Sequence, residues 1–216
     1  MTFKRNQVEE ALRGALQQAG TEDATNLRIR LKRLLDTDRT LSRKVAGGHS
    51  LAYAFYTGEP PGRGVEVWFL SYEAFALLLG VLLLKHRWSQ STAVRILRQA
   101  RPMLELEHGR ILSLDPGNLF DPEKLSEQAK PGRPATQSAD PVFLAMISGG
   151  RTAQRAPHAL PLDVRVCRGE PELMRFFHQR ASAGASMTVL ELTAPAHLLV
   201  RHLSHTKPKA RGRASR

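Results

Sequence analysis

The eleven residues Ala74 to Leu84, AFALLLGVLLL, contain no polar side chain, and no other stretch limits the possible folds as strongly. A helix that is apolar on every side has no face fit for water and must be wrapped by other elements. It is also too short to cross a bilayer, which takes roughly 20 such residues. A buried central helix is therefore expected, capped near Ser71 and ending at about His86. The chain has 216 residues, 42% hydrophobic and 24% charged, enough to close a core around that helix. Wholesale disorder, collagen-like order and a disulfide-dependent miniprotein are excluded on the same ground.

The wrapping elements follow from periodicity. Val8, Ala11, Leu12, Ala15, Leu16 and Ala19 recur at three- and four-residue steps. They predict a helix over 7–19 with Asn6 and Glu9 as a capping box and Gly20 as the stop. Leu27, Leu31, Leu34 and Leu35 line a second helix and make a helical hairpin. Alternation in SLAYAFYT and VEVWF predicts two strands joined through Gly58 to Gly64 as a β-hairpin, with Arg63 at its tip in the position of a wing. A helix is expected over 90–100, with Ser89 or Ser91 as cap. Pro102 marks a kink or short turn before Met103, Leu104, Leu106, Ile111 and Leu112 resume.

Residues 113–140, rich in proline and glycine, read as an extended connection. Beyond them PVFLAMIS, LDVRVC and MTVLELT read as strands, while PELMRFFHQRA and PAHLLVRHLS read as helices with Pro171 and Pro195 in their first turns. The fold class is α+β: an α-rich N-terminal half with a β-hairpin and a helix-turn-helix-like segment, then a small mixed α/β half. The expected divisions are 1–112, 113–140, 141–206 and a basic tail over 207–216 with no apolar anchor.

Several chemistries lack their usual supports. Cys167 is the only cysteine, which rules out an internal disulfide and cysteine-rich zinc frameworks and fits a reducing cytoplasm. It sits in an alternating strand and reads as a small buried residue. The N-terminus MTFKRNQVEEALRGAL does not read as a secretory signal, and no membrane partner is expected. There is no GxxxxGK(S/T), no GxGxxG after a strand and no GxSxG. Ser204 and Lys207 match SxxK by chance, in a segment too loose to organise a nucleophile. His178, His197, His202 and His205 have no neighbouring carboxylate or thiolate, so no metal is expected. Glu105, Glu107 and His108 have no spacing that fixes a reaction geometry and read as capping and surface packing. No cofactor and no catalytic residue is assigned.

The charge points elsewhere. Lys plus Arg number 32 against 20 for Asp plus Glu, a formal +12, which favours a polyanionic partner. The basic residues gather in three places. Residues 27–44 carry seven, among them Arg28, Arg30, Lys32 and Arg33, against Asp36 and Asp38. Residues 85–110 carry Lys85, Arg87, Arg95, Arg98, Arg101 and Arg110 against Glu105 and Glu107. The tail adds Lys207, Lys209, Arg211, Arg213 and Arg216 without an acid.

In the middle group, Ser89, Gln90, Ser91 and Thr92 open a helix with short polar groups suited to base edges, and Gln90 has the amide that pairs bidentately with adenine. Arg95, Arg98 and Arg101 would supply phosphates with a basic stripe. The expectation is a DNA-binding protein, a transcriptional regulator or mobile-element accessory factor, that contacts duplex DNA in preference to RNA through basic helices. A homodimer follows from the geometry common to such binders. An RNA-binding protein is the first rival, although Trp68, Phe69 and Tyr72 read as packed rather than free to stack. An enzyme acting on nucleic acid or a phosphorylated substrate through the carboxylates Asp140, Asp163, Glu170, Glu172 and Glu191 is the second, and an assembly subunit that meets an acidic protein the third.

Overall fold

The fold is α+β, and a computed structural model describes residues 1–17, 23–43, 53–62, 65–129, 136–149 and 162–208. The chain opens with a strand, Thr2–Lys4 (β1), and two helices, Arg5–Gln17 (α1) and Ala24–Arg43 (α2). A second strand, Trp68–Leu70 (β2), runs straight into Ser71–Lys85 (α3), and four residues separate α3 from Gln90–Ser113 (α4). Two short helices, Pro116–Leu119 (α5) and Pro122–Gln128 (α6), precede Val142–Ser148 (β3), Leu162–Arg168 (β4), Gly169–Arg180 (α7), Ser186–Glu191 (β5) and Thr193–His205 (α8). Two compact units divide the chain: Met1–Val94 with Leu198–Arg216, and Arg95–His197. The division runs through α4 and α8, whereas the sequence puts its boundaries at 112, 140 and 206.

In the first unit α3 is the buried helix the leucine run requires, with Phe75, Leu77, Leu78, Leu79, Val81 and Leu83 all inside. Each such side chain contributes about 1.5–3 kcal/mol through burial. Gly80 lies where a Cβ would stand only 3.0 Å from Leu34 of α2, so the missing side chain is what lets α2 and α3 approach. The apolar faces of α1 (Val8, Ala11, Leu12, Ala15, Leu16) and α2 (Leu27, Leu31, Leu34, Leu35) complete this core. Among the described residues the helical hairpin is as expected.

The β-hairpin is not. Residues 51–52 and 63–64, Arg63 included, lie outside the described residues, and Tyr53–Thr57 form no strand. The reason is a competition for backbone N–H groups. The buried Asp38 carboxylate accepts from the amides of Ala54 and Phe55, and buried Glu73 accepts from the amide and hydroxyl of Thr57, so the segment needs no strand partner. Trp68–Leu70 pairs antiparallel with Thr2–Lys4 instead, Phe3 opposite Phe69. Two outward amides of this ribbon are capped, that of Lys4 by Gln7 Oε1 and that of Leu70 by Glu73 Oε2. Capping leaves less edge for a further strand to join.

The α3–α4 turn is a Schellman arrangement: the amide of Arg87 donates to Leu84 O and that of Trp88 to Leu83 O. Arg87 takes the left-handed position, φ 64°, that glycine usually fills. Beyond it, Pro102 does not break the chain. One helix continues through it to Ser113, with Ala100 and Arg101 buried before the proline and Leu104, Glu107, His108 and Ile111 after it, so side-chain burial on both sides outweighs the lost hydrogen bond. The expected extended connection is corrected as well. Asp115 and Asp121 cap α5 and α6 through their carboxylates, each with proline at the first helical position.

The second unit is built on a three-stranded sheet in the order β4-β3-β5, antiparallel throughout. β4 and β5 thus run parallel to each other on either side of β3, joined through α7. Phe143, Ala145 and Ile147 of β3 pack with Cys167, Leu173 and Phe176 under α7. The alternate residues Val142, Leu144 and Met146 are buried too, so the middle strand is covered on both faces. The three strands and two helices predicted for this half all form.

Candidate nucleic-acid interface

The predicted binding residues fall into separate environments. On α2, the leucine face is core and the opposite side carries Arg28, Lys32 and Arg33 to the solvent, with Thr25, Asn26 and Ile29 also exposed. Arg28 is 69% exposed even while its Nε donates to Glu9 Oε2 at 3.1 Å. Glu9 Oε1 takes Arg5 Nε at 2.9 Å, so one carboxylate on α1 holds two guanidinium groups. Arg30 is half-buried. Asp36, one turn further on and exposed, ends the cationic run.

Around the α3–α4 turn, Lys85 is half-buried and His86 and Arg87 are exposed. The hydroxyl cluster that follows is engaged with itself. Ser89 Oγ accepts from the amide of Thr92 at 3.2 Å and lies 3.1 Å from Ser91 Oγ and 2.8 Å from Thr92 Oγ1. Ser89 is thus the helix cap of α4, and Gln90 is half-buried.

Arg95, Arg98 and Arg101 do not form a stripe. Arg95 is exposed, Arg98 half-buried and Arg101 only 6% exposed, its Nε 3.5 Å from Glu105. Two three-residue steps carry Arg101 about 120° around the axis from Arg95, which here takes it from the exposed to the buried side of α4. Lys207 is exposed; Lys209, Arg211 and Arg213 lie outside the described residues.

Glu107 and His108, expected at the surface, are buried. The Glu107 carboxylate, 1% exposed, accepts from Arg110 Nε at 2.8 Å and from Arg168 Nε at 2.8 Å, with Arg168 Nη2 also in contact. Arg110 Nη1 reaches Asp140 at 2.9 Å. Burial pushes the Glu107 carboxyl up, but the two arginines outweigh it and hold it below its ordinary range. His108 is held down to about 4 by burial, with His197 adding repulsion. His197, whose Nε2 lies 3.0 Å from Ile111 O, is lowered by burial as well. In the same unit Arg165 faces Glu172 and sits over the Phe176 ring. Cys167 is buried, as expected, and burial raises its thiol to about 11.

Trp68, expected to be packed, is exposed instead. It is 47% exposed, with Lys4 Nζ 5.1 Å from its ring centroid. Strand alternation carries the signal: with Phe69 buried, its neighbour Trp68 must face the other way. Among the described residues no group of three or more His, Cys, Asp or Glu side chains could hold a metal ion, and no helix is long and apolar enough to cross a membrane. No protein-family model and no curated protein matches this chain.

Proposed function

We propose that this is a cytoplasmic DNA-binding protein, a transcriptional regulator or mobile-element accessory factor, that contacts duplex DNA through the solvent face of α2. The observation that carries the reading is the placement of Arg28, Lys32 and Arg33 together on the water side of a 20-residue helix whose other side is core. A helix of that length rises about 30 Å, and the major groove, about 12 Å wide, admits it. The cations neutralise phosphates, and Asn26 at the exposed N-terminal turn has the amide that reads adenine. Arg87 offers a further phosphate contact in the same unit, and the basic tail adds affinity that does not depend on sequence. Homodimerisation belongs to the same reading, and a dimeric mass in solution is its expected sign.

The test is a fluorescence-anisotropy titration of labelled duplex DNA, single-stranded DNA and structured RNA across a salt series, with the full chain and with a chain ending at Thr206. Duplex binding that survives removal of the tail, with a steep salt dependence, supports the reading. Loss of all binding with the tail, or preference for structured RNA, overturns it.

A further inference from the structure

The exposed side of the β1–β2 ribbon carries a second surface suited to nucleic acid, of a different kind. In the register of the ribbon, Thr2 stands opposite Leu70 and Lys4 opposite Trp68, while Phe3 and Phe69 take the buried side. A half-exposed indole with an ammonium group on its ring is left facing water. Glu66, 3.0 Å from Lys4 Nζ, holds that ammonium in place.

This ribbon and the α2 cations are linked by two contacts of Arg5. Lys4 is followed by Arg5, whose amide donates to Val67 O, the residue before Trp68, at 3.2 Å. The Arg5 guanidinium shares Glu9 with Arg28 of α2. Lys4 is thus paired with Glu66, and Arg5 and Arg28 share Glu9, all within the first unit.

We propose that Trp68 is a stacking platform for an unpaired nucleobase, so that the preferred nucleic acid is a duplex that ends in, or opens into, a single strand. The indole offers a π-face to any base and Lys4 offers charge to the adjoining phosphate, the pairing that single-strand binders use. The inference rests on α2 as the duplex contact, which lies in the same unit as the ribbon. Glu66 opposes a phosphate at this place, so Glu66→Gln strengthens the interaction.

The experiment compares the full chain with Trp68→Ala, Trp68→Phe and Glu66→Gln variants. Each is titrated with blunt duplex DNA, the same duplex with a ten-nucleotide single-stranded extension, and that extension alone. Melting curves show that each variant is folded. Stacking of one base corresponds to about 5- to 150-fold in affinity. The extended duplex is expected to bind tighter than the blunt one by a factor in that range; Trp68→Ala removes the gain, Trp68→Phe keeps part of it and Glu66→Gln enlarges it. Equal binding of blunt and extended duplex by the unaltered chain overturns the stacking proposal while α2 binding stands. Binding of the extension alone that Trp68→Ala abolishes, with no duplex binding, supports the platform and removes the α2 reading. Self-association that Trp68→Ala reverses, with no change in nucleic-acid affinity, overturns the proposal in favour of a second copy of the chain.

Discussion

On α2 Arg28, Lys32 and Arg33 stand on the water side of a helix, whereas in the second unit Arg101, Arg110, Arg165 and Arg168 turn toward carboxylates. Arg110 and Arg168 close on Glu107, Arg101 on Glu105 and Arg165 on Glu172. The difference begins with a buried acid. Glu107 is 1% exposed, and a carboxylate taken out of water costs several kcal/mol unless charged donors surround it. A phosphate at Arg110 or Arg168 would compete with the buried Glu107 carboxylate, while Lys32 and Arg33 stand exposed on α2 with no ion pair among the described residues. Net charge counts both sets alike; what sets Arg110 and Arg168 apart is the buried carboxylate they hold between them.

The largest effect expected from breaking this contrast is at Glu107. Glu107→Ala leaves two guanidinium groups facing an emptied site and is expected to cost about 3 kcal/mol, the low end for a broken buried pair because both arginines keep partial access to water. Urea unfolding measures it, and duplex affinity of the folded protein stays as it was. A cost below about 1 kcal/mol would place the network in the class of surface pairs. Acid acts on the same unit. His108 is neutral when folded and its pKa is held down to about 4, below the ordinary 6.5. Above pH 6.5 neither folded nor unfolded chain is protonated there and stability is full; as pH falls from 6.5, the unfolded chain takes up a proton that the folded one refuses. Stability is therefore expected to drop by about 2 kcal/mol between pH 6.5 and pH 5. His108→Leu flattens that slope. The Glu107 carboxylate, held low, adds its own loss only below the ordinary glutamate range.

What the sequence made legible follows a physical line. Period and punctuation located α1, α2, α3, α7, α8 and all three strands of the larger sheet, because each buries a continuous apolar face. The hairpin failed because the deciding interactions are side-chain acceptors far away in sequence: Asp38 and Glu73 take the amides that a strand partner would have taken. Asp115-Pro116 and Asp121-Pro122 were readable as two helix starts, since aspartate before proline is a cap before a first-turn residue; their abundance of turn formers concealed it. The two sides of α2, leucines inside and Arg28, Lys32 and Arg33 outside, were legible from one amphipathic pattern. Arg101 was misplaced by counting threes against a period of 3.6, and Trp68 by judging composition rather than alternation.

A sharper form of the comparison removes charge from each region in turn. Lys32→Gln with Arg33→Gln is expected to weaken duplex binding about tenfold near physiological salt and to lower the salt slope by about 2. Arg165→Gln, which faces Glu172 at 3.8 Å and lies over Phe176, is expected to leave that slope unchanged. Equal slopes for all of these variants, in a chain ending at Thr206, would mean that neither region touches phosphate.

The smallest effect tests a residue that belongs to both categories. Arg87 is exposed like the α2 cations, yet it occupies a left-handed position in the α3–α4 turn, where a side chain costs roughly 1–2 kcal/mol relative to glycine. Arg87→Gly relieves that strain at the expense of a more flexible unfolded chain, for a net gain of about 1 kcal/mol, or 2–4 °C in melting temperature for a chain of this size. If the guanidinium meets a phosphate, the same change lowers the salt slope of duplex binding by about 1. The two readouts separate the explanations. A stabler protein with a smaller slope shows a strained turn kept for its charge and extends the interface from α2 to the turn before α4. A stabler protein with an unchanged slope confines the interface to the first unit's helix α2 and leaves Arg87 as a turn residue only.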